Sequence, residues 1–207
     1  MRAGASTTRR NQSPLSPTEI PGLEVLPVKV SYYVACTLDG FIADTDGGVD
    51  WLGPFMASGE DYGYSKFIAS VDALVMGRGT YEKVRSFGAW PYGDLPCLVL
   101  THRELVPIAP TVRTCGGEPS TVVGELREGH YEHAWLVGGA AVAGNFFDAG
   151  YVDELIITLV PVFLGRGIPL LLHTADPTRK LDLVETTRWA NDLMTLHYRL
   201  PRNYGSS

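Results

Sequence analysis

Two short glycine corners hold the residues whose types and spacing could do chemistry. The first is Ala73-Leu-Val-Met-Gly-Arg-Gly-Thr-Tyr-Glu82. An apolar run ends at Met76, a Gly-Arg-Gly turn follows, and Thr80 opens a segment with helical spacing. Free backbone N–H groups at a helix start, with the positive end of its dipole, favour an anion. Gly77 lets the backbone approach a ligand closely. Arg78 adds a planar, permanently charged fork suited to phosphate. The second corner is Ala134-Trp-Leu-Val-Gly-Gly-Ala-Ala-Val142. It too runs from an apolar strand through Gly138-Gly139 into a helical segment. Ligands of open α/β sheets bind at the carboxyl ends of the strands. Two phosphate corners on one edge therefore suit a long ligand with several phosphates. Neither G-x-G-x-x-G nor G-x-x-x-x-G-K-[ST] occurs, so the corners are neither a standard Rossmann site nor a P-loop.

The elements that must position these corners alternate. Val28, Val30, Tyr32 and Val34 interleave with Lys29, Ser31 and Tyr33, a strand period. Gly40 to Asp50 reads as a Gly/Asp-rich loop. Tyr64, Phe67, Ile68 and Val71 fall on one helical face within 60–70. Apolar strands are expected at 73–76, 97–101, 134–137 and 152–160, with helices near 80–87, 119–128 and 140–148. Two C-terminal strands, 182–190 and 193–200, have no helix between them and must run antiparallel. Strands alternating with helices give a mixed, mostly parallel sheet covered on both faces.

Bulk properties bound the reading. A chain of 207 residues, 45% hydrophobic and 19% charged, suits one well-buried domain. Residues 1–26, rich in Ser, Thr, Pro and Arg, read as a flexible tail before a domain over 27–203. A net charge of −6 argues against a nucleic-acid partner. No apolar run is long enough to span a membrane. Three cysteines without paired spacing read as reduced thiols in a cytoplasmic protein. His130-Tyr-Glu-His133 lacks a third ligand and reads as solvated loop, so no metal is expected.

Four motifs in register resemble a family. They are Thr37-Leu-Asp-Gly-Phe-Ile-Ala43, Met76-Gly-Arg-Gly-Thr-Tyr-Glu82, Val137-Gly-Gly-Ala140 and Asp153-Glu-Leu-Ile…Pro161-Val-Phe-Leu-Gly-Arg-Gly167. Together they resemble the dihydrofolate reductase-like superfamily, in particular the C-terminal reductase domain of the bifunctional deaminase-reductase of riboflavin biosynthesis and its stand-alone relatives. The resemblance covers about residues 28–200. It implies a three-layer α/β/α fold, NADPH as hydride donor and a homodimer.

Roles follow by matched motif. Gly77, Arg78 and Thr80 would hold cofactor phosphates, with Arg78 near the adenosine 2′-phosphate. Thr101, His102 and Arg103 would form the other side of the adenosine pocket. Gly138 and Gly139 would meet the pyrophosphate, commonly through a cis peptide bond between them, and Val137, Ala140 and Ala141 would belong to the cofactor site beside them. Ala35, Ile42 and Ala43 would lie against the nicotinamide. Trp51 matches the aromatic residue of the loop that closes over the reacting carbons. Asp61 is the candidate for the proton-donating acid, with Glu60 and Asp50 as neighbours that could take the role, and Thr158 matches the threonine hydrogen-bonded to that acid. Burial would raise that carboxyl's pKa and suit it to proton delivery. Thr37 and Tyr64 would face the substrate. Leu95 or Pro96 falls where dihydrofolate reductases carry an Arg for the folate tail, which points away from folate. The expected activity is hydride transfer from NADPH to a small pterin- or pyrimidine-like heterocycle. Two alternatives stand beside it: 5-amino-6-(5-phosphoribosylamino)uracil reductase, and a non-catalytic dinucleotide-binding protein.

Overall fold

The alternation of the first strand sets the layers. In the computed structural model, which describes residues 27–57, 59–172 and 179–201, β1 spans Lys29–Thr37. Val30, Tyr32 and Cys36 point into one core with Val122, Val123 and Leu126 of α4 (Pro119–Glu128) and Phe146 and Phe147 of α5 (Ala140–Asp148). Tyr33 turns to the opposite face. It packs there beside Phe67 of α2 (Tyr64–Ile68) and Tyr81 of α3 (Arg78–Ser86), with Trp135 between them on the sheet. A period of two thus feeds two apolar layers from one strand.

The remaining strands are β2 (Phe41–Ala43), β3 (Ala73–Gly77), β4 (Cys97–Leu100), β5 (Val112–Cys115), β6 (His133–Gly138), β7 (Glu154–Val160), β8 (Ile168–Pro169), β9 (Asp182–Arg188) and β10 (Met194–Arg199). Eight form one sheet in the order β5-β4-β3-β6-β1-β7-β10-β9. Pairings from β5 through β7 are parallel, and β10 runs antiparallel to both β7 and β9. This is the expected mixed, mostly parallel sheet. The buried carboxylate of Asp153 accepts the Val30 N–H at 2.7 Å and fixes β7 against β1.

Three local expectations change. The helix near 60–70 shrinks to the five residues of α2, because Gly63 sits at φ 83° immediately before it. Helix α3 begins at Arg78, not Thr80. His133 is not in a solvated loop. It opens β6, where its Nδ1 bonds the Ser70 carbonyl at 2.8 Å and its Nε2 bonds Ser31 Oγ at 2.8 Å. The expected N-terminal tail lies outside the described residues. Among the described residues, no helix is long and apolar enough to cross a membrane.

Candidate functional site

The two glycine corners meet. Strands β3 and β6 are neighbours, and Met76 pairs with Gly138 at their carboxyl ends. Gly77 is the N-cap of α3 and Gly139 the N-cap of α5. A Cβ on Gly77 would stand 2.8 Å from Val142 Cγ2, and one on Gly139 would stand 3.2 Å from Thr80 Oγ1. Each corner therefore touches the helix that starts at the other. The peptide bond between Gly138 and Gly139 is cis, as the resemblance implies.

Among the described residues, neither helix start has a side-chain cap for its first-turn amides. Neither α3 nor α5 carries an acidic residue in its first turn. Natural helices usually satisfy those N–H groups with Ser, Thr, Asp or Asn. Two such starts at one rim suit an anion with more than one phosphate.

A cleft of about 530 Å³ opens from this rim. Gly77, Arg78, Thr80, Val137 and Gly139 line it, as do Ala140 and Ala141. Ile42 and Ala43 line the far wall, together with Ile168 of the small β2–β8 sheet. That wall needs glycine: a Cβ on Gly167 would strike the Ala43 carbonyl oxygen. Leu172 closes the cleft against α5, where a Cβ on Gly144 would collide with its carbonyl oxygen.

Several expected positions fall elsewhere. Ala35 faces away from the cleft, and its neighbour Val34 takes the lining position, because successive strand residues point to opposite faces. Gly138 is behind the lining, with Gly139 presented instead. Thr101, His102 and Arg103 form a turn outside it, with the Arg103 N–H donated to Thr101 Oγ1 at 3.1 Å. Thr37 is fully buried and structural: its hydroxyl bonds Asp39 at 2.5 Å and accepts the Phe41 N–H at 3.1 Å. Asp39 in turn accepts the Leu164 and Gly165 N–H groups, so this turn fastens β1 to the 161–167 loop. The Thr37 hydrogen bond is the first of the contacts that hold the Asp39 carboxyl below its usual range. Tyr64 packs edge-on to Trp135, with ring centroids 5.9 Å apart, rather than into the cleft.

The acid is the main correction. Asp61 is exposed, and its carboxylate accepts the Gly63 and Ser65 N–H groups, both at 3.0 Å. It caps the start of α2. Hydrogen bonding, that from the Ser65 side chain first, holds its pKa below the ordinary carboxyl value, opposite to what a proton donor needs. Thr158 does not bond it. The Thr158 hydroxyl pairs with Thr195 Oγ1 at 2.8 Å, and the Trp189 indole N–H donates to that same Thr195 oxygen at 2.7 Å. Trp51 lies in a 3-10 turn over Asp50–Leu52, directly before α1 (Gly53–Met56), and packs in a cluster with Ala35, Tyr62, Val160 and Trp189. Its Nε1 is buried and makes no hydrogen bond within the described residues.

Sequence reasoning missed Lys83 and Phe87, which line the cleft from the second turn of α3 and from its C-cap. Helical spacing from Thr80 carried that signal, since 80, 83, 84 and 87 share one face. Arg78 is engaged within the protein. Its Nε donates to Glu82 Oε1 at 2.7 Å and its Nη1 to the Glu104 carbonyl at 3.1 Å. A second groove of about 540 Å³ lies on the opposite face of β1, between Tyr33, Phe67 and Trp189. At its base the Lys29 ammonium pairs with Glu154 at 2.9 Å, and His197 approaches the same carboxylate at 3.5 Å.

Comparison with known proteins agrees with this geometry. The sequence matches the RibD C-terminal domain family over residues 28–195. It is 36% identical over 171 residues to the Bacillus subtilis (strain 168) protein YwjB, itself uncharacterized, covering 82% of this chain and 97% of that one. A Shewanella sp. PV-4 protein provisionally assigned to riboflavin biosynthesis superposes with a TM-score of 0.77 at 28% identity, over 84% of this chain and all of that one. Dihydrofolate reductase from Enterococcus faecalis, solved as a complex with NADP(H), shares the fold with a TM-score of 0.62 at 18% identity, over 84% of this chain and 98% of that one.

Proposed function

The chain belongs to the RibD C-terminal domain family, and from that premise we propose that it is an NADPH-dependent reductase acting on a small pterin- or pyrimidine-like heterocycle. The observation that carries the reading is the meeting of two uncapped helix starts at the rim of one cleft. The residues fit a dinucleotide. First-turn amides of α3 and α5 would hold its diphosphate, with the Thr80 hydroxyl between them. Arg78 and Lys83 would meet the adenosine phosphate. Val34, Ile42, Ala43 and Ile168 give an apolar floor that keeps water from the nicotinamide end. When bound, the cofactor would supply the hydride.

The substrate's other needs fall to the protein. Trp51 packs with Ala35 outside this cleft, so its place over the reacting carbons rests on the resemblance alone. No acidic side chain lines the cleft among the described residues. Asp61 is occupied as a helix cap, so we read the proton as drawn from water. Free, buried Cys36, Cys97 and Cys115 suit a reducing cytoplasm. Strand β9 ends the sheet with Leu183 and Val184 exposed, which suits a homodimer.

A narrower reading is 5-amino-6-(5-phosphoribosylamino)uracil reductase. Similarity to the Shewanella protein over its whole length favours it. The test is NADPH consumption against a panel of pyrimidines, pterins and this uracil derivative. Turnover with any of them supports a reductase, and turnover with the last alone supports the narrower reading. NADPH binding without turnover on the whole panel would leave a non-catalytic dinucleotide-binding protein.

A further inference from the structure

We propose that the second groove, on the face of the sheet turned away from the cleft, binds a small neutral planar heterocycle through an amide-like edge, a ring N–H beside a carbonyl. The site does not depend on the cofactor reading. Tyr33 lines the groove where its neighbour Val34 lines the cleft, so the sheet stands between the two. A ligand held there is out of reach of a hydride donor in the cleft. At about 540 Å³ the groove has the size of a small-molecule site.

Its walls are aromatic and held in place. Tyr33 stacks on Phe67 with ring centroids 4.3 Å apart, and the Tyr33 hydroxyl donates to the Tyr62 carbonyl at 3.2 Å. Trp189 is fixed by its indole N–H, which Thr195 Oγ1 accepts at 2.7 Å, and by the Tyr62 ring, edge-on at 6.0 Å. All of these residues line the groove. Rings already immobilised offer flat contact area without a further ordering cost.

The polar base leaves one atom unspent. Burial, ahead of the Lys29 charge, lowers the His133 pKa and keeps that ring neutral. Its Nδ1–H then donates to the Ser70 carbonyl and its Nε2 accepts the Ser31 hydroxyl, each at 2.8 Å. His197 Nε2 differs: it is buried, yet makes no hydrogen bond among the described residues. It stands 3.5 Å from Glu154 Oε2, close enough for one ligand edge to reach both groups. Buried polar atoms nearly always have a partner. A ring N–H would donate to the Glu154 carboxylate, and the adjacent carbonyl would accept from the His197 imidazole. Lys29 and Lys66 line the groove against Glu154 and Glu185, two charges of each sign. Such a balance favours a neutral ligand over an ion.

Isocarbostyril, a fused aromatic lactam, carries this edge, and its N-methyl derivative lacks the N–H. Calorimetric titration of the full chain should show one isocarbostyril bound per protein, with the N-methyl compound about tenfold weaker. His197→Phe keeps a ring in β10 and should weaken isocarbostyril about tenfold. Val184→Trp, at a position 44% exposed on the edge strand, should fill the groove and abolish binding while the thermal midpoint is kept. No saturable binding to the wild-type chain would overturn the proposal. So would equal affinity for the two compounds, or binding that survives both substitutions. The comparison of the two compounds uses the wild-type chain alone, so it decides the matter even where a variant fails to fold.

Discussion

Gly77→Ala isolates the contact that joins the two corners. Gly77 has φ −76° and ψ 159°, a region open to any residue, so the substitution meets no backbone obstacle. The added methyl stands 2.8 Å from Val142 Cγ2. That is about 1 Å inside an ordinary carbon–carbon contact. Overpacking of this kind costs about 1–3 kcal/mol. Val142 is only half-buried and can yield, which places the cost near the lower end, about 1 kcal/mol. Val142→Ala alone removes packing and also costs about 1 kcal/mol. In the double variant the methyl added at position 77 enters the space that Cγ2 vacates. The two losses should then fall short of their sum by about 1 kcal/mol. Urea unfolding of the four proteins measures this, provided the slope against denaturant is the same for all. Additivity to within about 0.3 kcal/mol would mean that the corners do not touch, and the single rim would be refuted.

Five further outcomes are expected. Arg78→Ala should weaken NADPH at least about tenfold and hardly affect NADH, since a charge-assisted phosphate contact contributes about 1.5–3 kcal/mol; equal losses for both would remove Arg78 from the phosphate. Asp61→Asn should leave turnover and its pH dependence unchanged, and a drop in turnover with NADPH affinity intact would restore Asp61 as the acid. The folded Asp61 pKa is depressed, so the stability it adds is present above the ordinary carboxyl pKa and lost as pH falls through the folded value. Asp61→Ala should therefore destabilise the chain at neutral pH, by a margin that closes in acid. Cys36, Cys97 and Cys115 are buried, and desolvation pushes their thiols up to about 11, 12 and 12, so alkylation at neutral pH should be slow in the native protein and fast in urea; rapid native labelling would contradict their burial. Light scattering should give twice the mass of one chain, and a monomer mass would reject the dimer.

The sheet and the glycine corners were legible because periodicity and glycine turns are local signals. Val30, Tyr32 and Cys36 announce their common face by alternation, and Gly138-Gly139 announces its corner by composition. The edge strand Val112–Cys115 escaped notice because its middle residues, Arg113 and Thr114, are exposed and polar. The two-residue strand at Ile168 had no sequence signal, for it is held by pairing with distant Ala43. Side-chain roles fared worse than backbone ones. Asp61 sits where the resemblance puts a proton donor, yet its immediate neighbours Gly63 and Ser65 claim both oxygens. Thr37 ends β1, and its hydroxyl is consumed by Asp39 and Phe41. Which of Val34 and Ala35 faces the ligand is a question of strand parity, which a one-residue offset reverses.

A crystal structure of the chain soaked with NADPH tests the central claim most directly. Diphosphate oxygens should lie within hydrogen-bond reach of the Gly79, Thr80, Ala140 and Ala141 amides, with the nicotinamide over Val34 and Ile42. Density for the dinucleotide away from these amides, or in the groove on the other face of β1, would contradict the account.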